Sequence, residues 1–294
     1  IAGSPGSTIW HTPDGGHSWF AQRTGETVPI HAVAFTDDLH GWAVGALGLI
    51  LKTEGGGREW RAGRGSGRRA PRLVLHSRAG REILALGAAE SVAVAAGGAT
   101  GIVGWKLPVA LADIERSKEQ LVADWRRRTD SDLTQALLGT FVGWLRTWRP
   151  SVVVLDAPPE DDAVGQILNE AALAAVEQAA DPTRFVRQQQ LAGLETWRVD
   201  KVFVRLPAGS QGQTDLDPHE YLPRSGRTAH EIAAAAQSRI ASPAKTPTER
   251  ETYRLAVDQA NLPNPAASRS GFFSGLALAP DSDARRALET FDET

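Results

Sequence analysis

The chain contains no cysteine and no methionine among its 294 residues. The lack of cysteine excludes disulfide bonds, thiolate metal sites and a cysteine nucleophile, and it is compatible with any cellular compartment. No apolar run approaches the roughly 18 residues that a membrane-spanning helix needs, and no signal peptide is visible. Because the chain begins with Ile1 and has no methionine, we expect it to be a fragment or a processed product.

The charge balance gives no reason to expect a nucleic acid as partner. The formal net charge is −3 at pH 7, so the chain as a whole does not attract nucleic acid or acidic membranes. A basic, glycine-rich stretch at residues 63–71 has no interleaved aromatic residues, which predicts a solvated linker. The hydrophobic fraction of 41% is enough to form real cores, and the length predicts about two domains.

Two similar segments that are 41 residues apart stand at the start of the chain. The stretch Thr12-Pro13-Asp14-Gly15-Gly16-His17-Ser18-Trp19 recurs as Thr53-Glu54-Gly55-Gly56-Gly57-Arg58-Glu59-Trp60. Between the two copies lie two strand-like stretches, at residues 30–35 and 41–45, with a turn between them. A repeat of about 40 residues that is built from short strands is typical of a β-propeller blade.

The residues of this repeat resemble the Asp-box of sialidase-type repeats. Residues 1–62 as a whole resemble the blades of photosystem II stability/assembly-factor propellers, although Gly55 replaces the aspartate in the second copy. The resemblance implies a structural role for the Asp-box residues in a hairpin turn, with Trp19 and Trp60 in equivalent positions. It also implies that residues 1–62 end a longer propeller whose remaining blades are missing from this chain.

A buried strand and an acidic loop are the central feature of the remaining sequence. Residues 152–155 are all apolar and mostly β-branched, which predicts a fully buried, parallel strand. A helical pattern at 161–180 follows a loop with four carboxylates, namely Asp156, Glu160, Asp161 and Asp162. Strand, acidic loop and helix in this order are typical of ligand sites in open α/β sheets. The alternative is that the acidic residues only favour the dipole of the helix.

The predicted fold class is α/β, with a Rossmann-like, mainly parallel three-layer domain that follows partial β-propeller blades. We assign this domain to residues 72–241 and expect strands 72–76, 151–156 and 199–206 to be neighbours, with helices on the faces of the sheet. Other predicted elements are a strand at 92–96 and helices at 113–128, 132–148 and 229–240. Residues 242–294 are predicted to be a polar tail with two short helices, near 248–260 and 282–291.

Residues 71–240 also resemble the PIG-L family of zinc-dependent N-acetylglucosaminyl deacetylases, whose fold is Rossmann-like. The similarity is clearest in Arg149–Gly165 and Trp197–Phe203. The resemblance implies two motifs that hold a catalytic zinc ion. They fall on His76-Ser77-Arg78-Ala79 and on Pro158-Pro159-Glu160-Asp161, and both depart from the family pattern.

Only part of the implied zinc site is therefore present. His76 and Asp161 are the candidate metal ligands, and Asp156 and Glu160 are the candidate catalytic residues. Arg78 stands where the family has its general base, and we expect it to pair with a carboxylate. Because one histidine and one carboxylate do not make a tight zinc site, we predict no bound zinc and no other cofactor.

Other nucleophilic or acid–base sites have less support in the sequence. Ser77, Ser91 and Ser151 lack the Gly-x-Ser-x-Gly context of a serine hydrolase. His219 and His230 could approach the end of the sheet, but lone histidines of this kind are usually surface or capping residues.

Three functional hypotheses remain open. The first is a non-catalytic binding protein for a glycan or a protein partner, in which propeller blades precede a degenerate deacetylase-like domain. The second is an active zinc deacetylase-like hydrolase with a rearranged site that uses His76, Asp156 and Asp161. The third is an assembly or scaffold protein whose function lies in the propeller alone.

Overall fold

The computed structural model describes an N-terminal segment, one isolated strand, and most of the chain from residue 117 to residue 259. The described residues are 2–3, 6–26, 28–46, 49–62, 74–77, 117–223, 225–237, 250–259, 271–274 and 276. The predicted linker at 63–71, the strand at 92–96 and the helix at 282–291 lie outside the described residues.

The N-terminal segment consists of antiparallel β-structure, as the repeat predicts. Strands β1 (Thr8–His11) and β2 (Phe20–Arg23) form a hairpin. The next four strands form one antiparallel sheet in sequence order, β3 (Ile30–Phe35), β4 (Gly41–Gly45), β5 (Ile50–Thr53) and β6 (Arg61–Ala62). The described part of residues 2–62 thus contains one four-stranded meander and one hairpin, which form no closed ring of sheets.

The turns that follow β1 and β5 have the same hydrogen-bonding pattern. The backbone N–H of Gly16 donates to Thr12 Oγ1 at 2.7 Å, and that of Gly57 donates to Thr53 Oγ1 at 2.9 Å. Gly16 and Gly57 have φ angles of 103° and 84°, a region of backbone conformation that favours glycine. The two turns are therefore structural copies of each other, in agreement with the offset of 41 residues.

Asp14 has a structural role in the first of these turns. Its carboxylate accepts hydrogen bonds from the hydroxyl of Ser18 at 2.5 Å and from the backbone N–H of Ser18 at 2.8 Å. These two bonds, in that order, are the main causes that lower the pKa of Asp14 below its usual value. Since Gly55 stands at the corresponding position, the second turn lacks these carboxylate contacts.

The two tryptophans that close these turns have different surroundings. Trp19 is 41% exposed and its indole N–H donates to the carbonyl of Gly16, whereas Trp60 is 8% exposed. Trp60 packs edge-on against Phe35, with the ring centroids 5.9 Å apart. The prediction that Trp19 and Trp60 are equivalent therefore holds for their positions after the two turns. It is wrong for their environments.

A second matched pair of residues shows how the repeats pack. Ile9 in the first copy is 3% exposed and belongs to the hydrophobic cluster that the hairpin forms with the following sheet. Its counterpart Ile50 is 36% exposed, beside Trp42 and Val44, which are 40% and 43% exposed. The β4–β5 register pairs Val44 with Ile50, so all three side chains lie on one face of the sheet. We call this surface, formed by Trp42, Val44 and Ile50, the open face.

Replacing these two isoleucines by alanine should therefore have unequal effects. We expect Ile9→Ala to lower the free energy of unfolding by about 2 to 3 kcal/mol, because it removes buried methyl groups from a small cluster. The matched variant Ile50→Ala should cost less than about 1 kcal/mol, since Ile50 is already partly in water. Urea unfolding of both variants measures the difference, and equal losses would contradict the packing described above.

A five-stranded sheet forms the centre of the second part of the chain, in the order β10-β13-β9-β8-β7. Its strands are β7 (Val74–Ser77), β8 (Val152–Asp156), β9 (Lys201–Arg205), β10 (Thr214–Leu216) and β13 (Glu251–Asp258). Strands β7, β8 and β9 are parallel neighbours, which confirms the predicted arrangement of these three strands. Strand β13 is antiparallel to both β9 and β10, so the sheet is mixed. A small hairpin, β11 (Tyr221–Leu222) and β12 (Arg227–Thr228), lies outside this sheet.

Five helices accompany this sheet among the described residues. They are α1 (Lys118–Thr129), α2 (Leu133–Trp148), α3 (Ala163–Ala180), α4 (Val186–Ala192) and α5 (Ala229–Gln237). Asp132 caps α2 by accepting the N–H of Gln135, as its spacing predicts. Ser117 and Gln120 form a capping box that fixes the start of α1. Helices and sheets thus occur together, as an α/β class requires.

Both faces of strand β8 are covered by apolar side chains. Val153 and Leu155 belong to the large cluster formed with α2 and α3, and Val152 and Val154 belong to a second cluster on the opposite face. Phe272 covers this second face and lies 4.6 Å from Phe203 between ring centroids. An uninterrupted apolar run is what a strand buried on both faces requires.

The predicted helix near 248–260 is wrong. Glu251–Asp258 forms strand β13, which extends the sheet into the segment predicted to be a loosely ordered tail. Tyr253 is buried and Leu255 and Val257 are half-buried, with exposed residues between them, which is the two-residue period of a strand. Pairing with β9 and β10 stabilises the extended form over any local preference for a helix.

Candidate functional site

The predicted site residues lie at the edge of the sheet where the parallel strands end. The register sets His76 beside Val154 and Ser77 beside Leu155, and Asp156 is the last residue of β8. His76 and the acidic loop are therefore at the same end of the sheet in the backbone, as predicted. The side chain of His76 and the residues Arg78 and Ala79 are outside the described part of the structure.

Asp156 makes an ion pair with an arginine from the neighbouring strand. The register places Asp156 beside Arg205, whose Nε lies 2.8 Å from Asp156 Oδ1. A second ion pair joins Arg205 Nη1 to Glu251 Oε1 at 3.0 Å. The side chains of Asp156, Arg205 and Glu251 are 21%, 24% and 29% exposed, so solvent screens these charges only in part.

A buried tyrosine completes this group of side chains. Tyr253 is 5% exposed, and its hydroxyl donates to Glu251 Oε2 at 2.6 Å. Burial and then the hydrogen bond to Glu251 raise the pKa of Tyr253 far above its usual value. Burial alone would lower the pKa of Arg205, but the charges of Asp156 and Glu251 outweigh it and raise the pKa. We call Asp156, Arg205, Glu251 and Tyr253 the edge network.

The raised pKa of Tyr253 gives a direct spectroscopic prediction. The sequence has only two tyrosines, and the other one, Tyr221, is 60% exposed. In a Tyr221→Phe protein, we expect no phenolate absorbance from the folded state as pH rises through about 10, the usual tyrosine pKa. Phenolate should form in this range only when the protein is unfolded in urea.

The same shift fixes the sign of a dependence of stability on pH. The unfolded state loses the Tyr253 proton near pH 10 while the folded state keeps it, so folding is favoured less as pH rises above about 10. This loss should be smaller in Tyr253→Phe than in the matched Tyr221→Phe control. A folded protein whose Tyr253 titrates like the unfolded chain would contradict the network.

The remaining carboxylates of the acidic loop have separate surroundings. Glu160 and Asp161 are exposed in the turn before α3, and Asp162 caps α3 by accepting the N–H of Gly165 at 2.8 Å. The backbone of the loop is held by helix side chains, since Asn169 donates to the carbonyl of Asp156 at 2.8 Å. The capping interpretation thus applies to Asp162, while Asp156 belongs to the edge network.

These residues do not fit a zinc ion as the PIG-L resemblance would require. A zinc site usually needs three protein ligands at about 2.0–2.2 Å from one metal. The Oδ1 atom of Asp156 is already bonded to Arg205, and Asp161 is exposed in the turn. Within the described residues, no three histidine or carboxylate side chains are grouped closely enough to hold a metal ion. That no zinc binds stays a prediction.

The two histidines considered as alternatives lie further along the same edge. Leu216 at the end of β10 pairs with Glu251, so the chain leaves β10 on the side of the edge network. The rings of His219 and His230 contact each other, with centroids 4.9 Å apart. Strands β8 and β10 are three strand spacings apart, about 14 Å, which separates this pair from Asp156.

Two buried cations were not anticipated from the sequence. Arg146 and Lys201 both have 0% exposure. Lys201 Nζ donates to the carbonyls of Ser274 at 2.6 Å and Gly271 at 3.3 Å, and burial lowers the pKa of this lysine. These contacts hold residues 271–274 against the sheet, so the role of Lys201 is structural. Arg146 has a similar role at the end of α3.

A comparison with known protein families finds no match for this chain, and a comparison with curated proteins finds no significant match. In the part of the chain that is described, no helix has the length and apolar character needed to cross a bilayer.

Proposed function

We propose that the chain is a non-catalytic binding protein in which β-propeller blades precede a degenerate, deacetylase-like α/β domain of Rossmann-like type. The observation that carries this proposal is the 2.8 Å ion pair between Asp156 and Arg205. This contact occupies Oδ1 of Asp156, and a carboxylate that is paired with a guanidinium is a poor metal ligand and a poor general base. The binding partner would be a glycan or a protein.

The propeller part of the proposal rests on the packing of the two repeats. The four-stranded antiparallel sheet β3–β6 has the strand number of one blade, and the hairpin β1–β2 has the turn of a second blade. In the first copy, the surface that contains Ile9 packs against the following sheet. By the same repeat, the open face would pack against a further four-stranded blade.

One observation favours the rival hypothesis of an active zinc hydrolase. His76 lies beside Val154, two positions before Asp156, so a histidine and a carboxylate share the carboxyl edge of two parallel strands. This juxtaposition is what a rearranged site with His76, Asp156 and Asp161 would need. It requires Asp156 to leave Arg205, which would then keep Glu251 as its ion-pair partner and lose the closer of its two ion pairs.

A turnover assay separates the two hypotheses. The chain is incubated with N-acetylglucosaminyl substrates and added zinc, and released acetate is measured against the protein-free rate. The proposal predicts no acetate above that rate. Turnover that disappears in His76→Ala and persists in His219→Ala, the matched control, would establish the rival hypothesis instead.

A further inference from the structure

A cleft lined by polar and apolar groups lies where the N-terminal hairpin meets the second part of the chain. Its volume is about 410 Å³, within the range of small-molecule sites, and such sites often lie at the junction of two units. The lining residues are Arg23, Pro182, Gln189, Gln190, Gly193, Glu195 and Thr196. Arg23 ends β2, and the other residues lie in α4 or beside it.

Direct contacts hold the two walls of this cleft together. The backbone N–H of Ser7 donates to the carbonyl of Ala192 at 3.3 Å. Gly193 ends α4 with a φ of 69°, and a Cβ added there would lie 2.7 Å from Thr8 Oγ1. A side chain at residue 193 would therefore push the hairpin away from α4. The close approach of the two walls depends on this glycine.

Several polar groups of the cleft have capacity to bind a ligand. Among the described residues, the side chains of Arg23, Gln190 and Thr196 make no hydrogen bond or ion pair with the protein. Gln189 is held in place because its amide donates to the carbonyl of Pro182 at 2.8 Å. The guanidinium, amide and hydroxyl groups offer both donors and acceptors around one volume.

The local charge favours an anion. Glu195 is paired with Arg149, whose Nη2 lies 3.0 Å from Glu195 Oε2, so this carboxylate is already compensated. The Arg23 guanidinium is then the uncompensated charge of the cleft, and its planar fork matches a carboxylate. The uncharged neighbours match hydroxyl groups, each of which both donates and accepts a hydrogen bond.

We propose that this cleft binds a hexuronic acid, a sugar that combines one carboxylate with several hydroxyl groups. Arg23 binds the carboxylate, and Gln190 and Thr196 bind the hydroxyl groups. The proposal goes beyond the proposed function, because it holds whether or not the edge network has catalytic activity. It would assign a ligand class to the junction between the two parts of the chain.

Saturation-transfer NMR on the full chain tests this proposal with glucuronate as the probe. Glucose and acetate are the two controls, since glucose has the hydroxyl groups without the carboxylate and acetate has the carboxylate without the hydroxyl groups. We expect glucuronate to bind at least about tenfold more tightly than either control, because one good charge-assisted contact contributes about that factor. Comparable binding of acetate would mean that the cleft is a simple anion site. Comparable binding of glucose would mean that Arg23 does not contribute to ligand binding. Each result would overturn the proposal.

Two arginine variants make the test specific to the cleft. Arg23→Gln should weaken glucuronate binding by about tenfold or more, because it removes the charge and the bidentate contact. Arg187→Gln is the matched control, since Arg187 is an exposed residue of α4 that does not line the cleft, and it should bind as the unmodified chain does. Gln190→Ala should weaken binding less than Arg23→Gln. Equal binding by all three variants would contradict the assignment.

Discussion

Replacing Arg146 by methionine is expected to lower the free energy of unfolding by about 3 to 5 kcal/mol. Arg146 has 0% exposure, and its guanidinium donates to carbonyls at the end of α3 and in the turn that follows. The shortest of these bonds are to Asp181 O at 2.8 Å, Arg184 O at 3.0 Å and Ala179 O at 3.1 Å. Methionine fills a similar volume but donates no hydrogen bond, so these carbonyls lose the guanidinium donors, and Ala179 O keeps only the bond from the Trp197 N–H at 3.0 Å.

The energetic reason is that the last carbonyls of a helix have no partner within the helix. Arg146 supplies several donors to this one end and also places a positive charge at the negative end of the helix dipole. Burial lowers the pKa of Arg146, and the charge of Asp181 opposes that shift, so the guanidinium remains a cation. The side chain therefore acts as the C-terminal cap of α3.

Urea unfolding at neutral pH, followed by tryptophan fluorescence, measures this effect. Arg184→Met is the matched control, because the Arg184 side chain is exposed in the same turn, and it should change the stability by less than about 0.5 kcal/mol. Arg146→Lys should recover part of the loss, since an ammonium group donates fewer hydrogen bonds. A loss below about 1 kcal/mol for Arg146→Met would contradict the capping role.

Replacing Arg205 by methionine is expected to cost about 2 to 4 kcal/mol. The change leaves the carboxylates of Asp156 and Glu251 close together and only 21% and 29% exposed, without the cation between them. Arg254→Met is the matched control, since Arg254 is an exposed residue of the same strand as Glu251. It should have little effect on stability.

A double-mutant cycle tests whether this loss arises from the unpaired carboxylates. If it does, Glu251→Gln should cost less in the Arg205→Met background than in the unmodified chain, because it removes one of the two repelling charges. Strict additivity of the two substitutions would show that Arg205 stabilises the chain through packing alone. That result would show that the edge network does not act as an electrostatic unit.

The strands of the sheet could be predicted to different degrees. The apolar run at 152–155 predicts strand β8, because burial on both faces explains four such residues in a row. Strand β13 was missed because its register with β9 and β10 is a tertiary interaction between distant parts of the sequence. Its alternating Tyr253, Leu255 and Val257 are the signal that could have identified it.

The position of the candidate site could be predicted from the sequence, but the ion-pair partner of Asp156 could not. The sequence located Asp156 at the end of a buried strand, and an arginine partner was expected to come from Arg78. The structure pairs Asp156 with Arg205 because the parallel register of β8 and β9 sets the two residues side by side. Local sequence cannot specify that register, since it depends on how two separate strands align.

The sequence also contains a signal for the buried Arg146, namely a charged residue on the apolar face of a helix. Arg146 lies within helix α2 beside Leu145 and four positions after Val142, both of which are buried. A charged residue on the apolar face of a helix is either unfavourable or bonded to a specific partner. The partner, the end of α3, becomes apparent only once the two helices are packed together.

The central claim is that the α/β domain holds no catalytic zinc, and its most direct test is the zinc content of the purified chain. The chain is purified without chelator, incubated with excess zinc, desalted and analysed by atomic emission, with His76→Ala as the comparison. The account predicts far less than one zinc ion per chain, at the same level in both proteins. About one zinc ion per chain that is lost in His76→Ala would contradict the account.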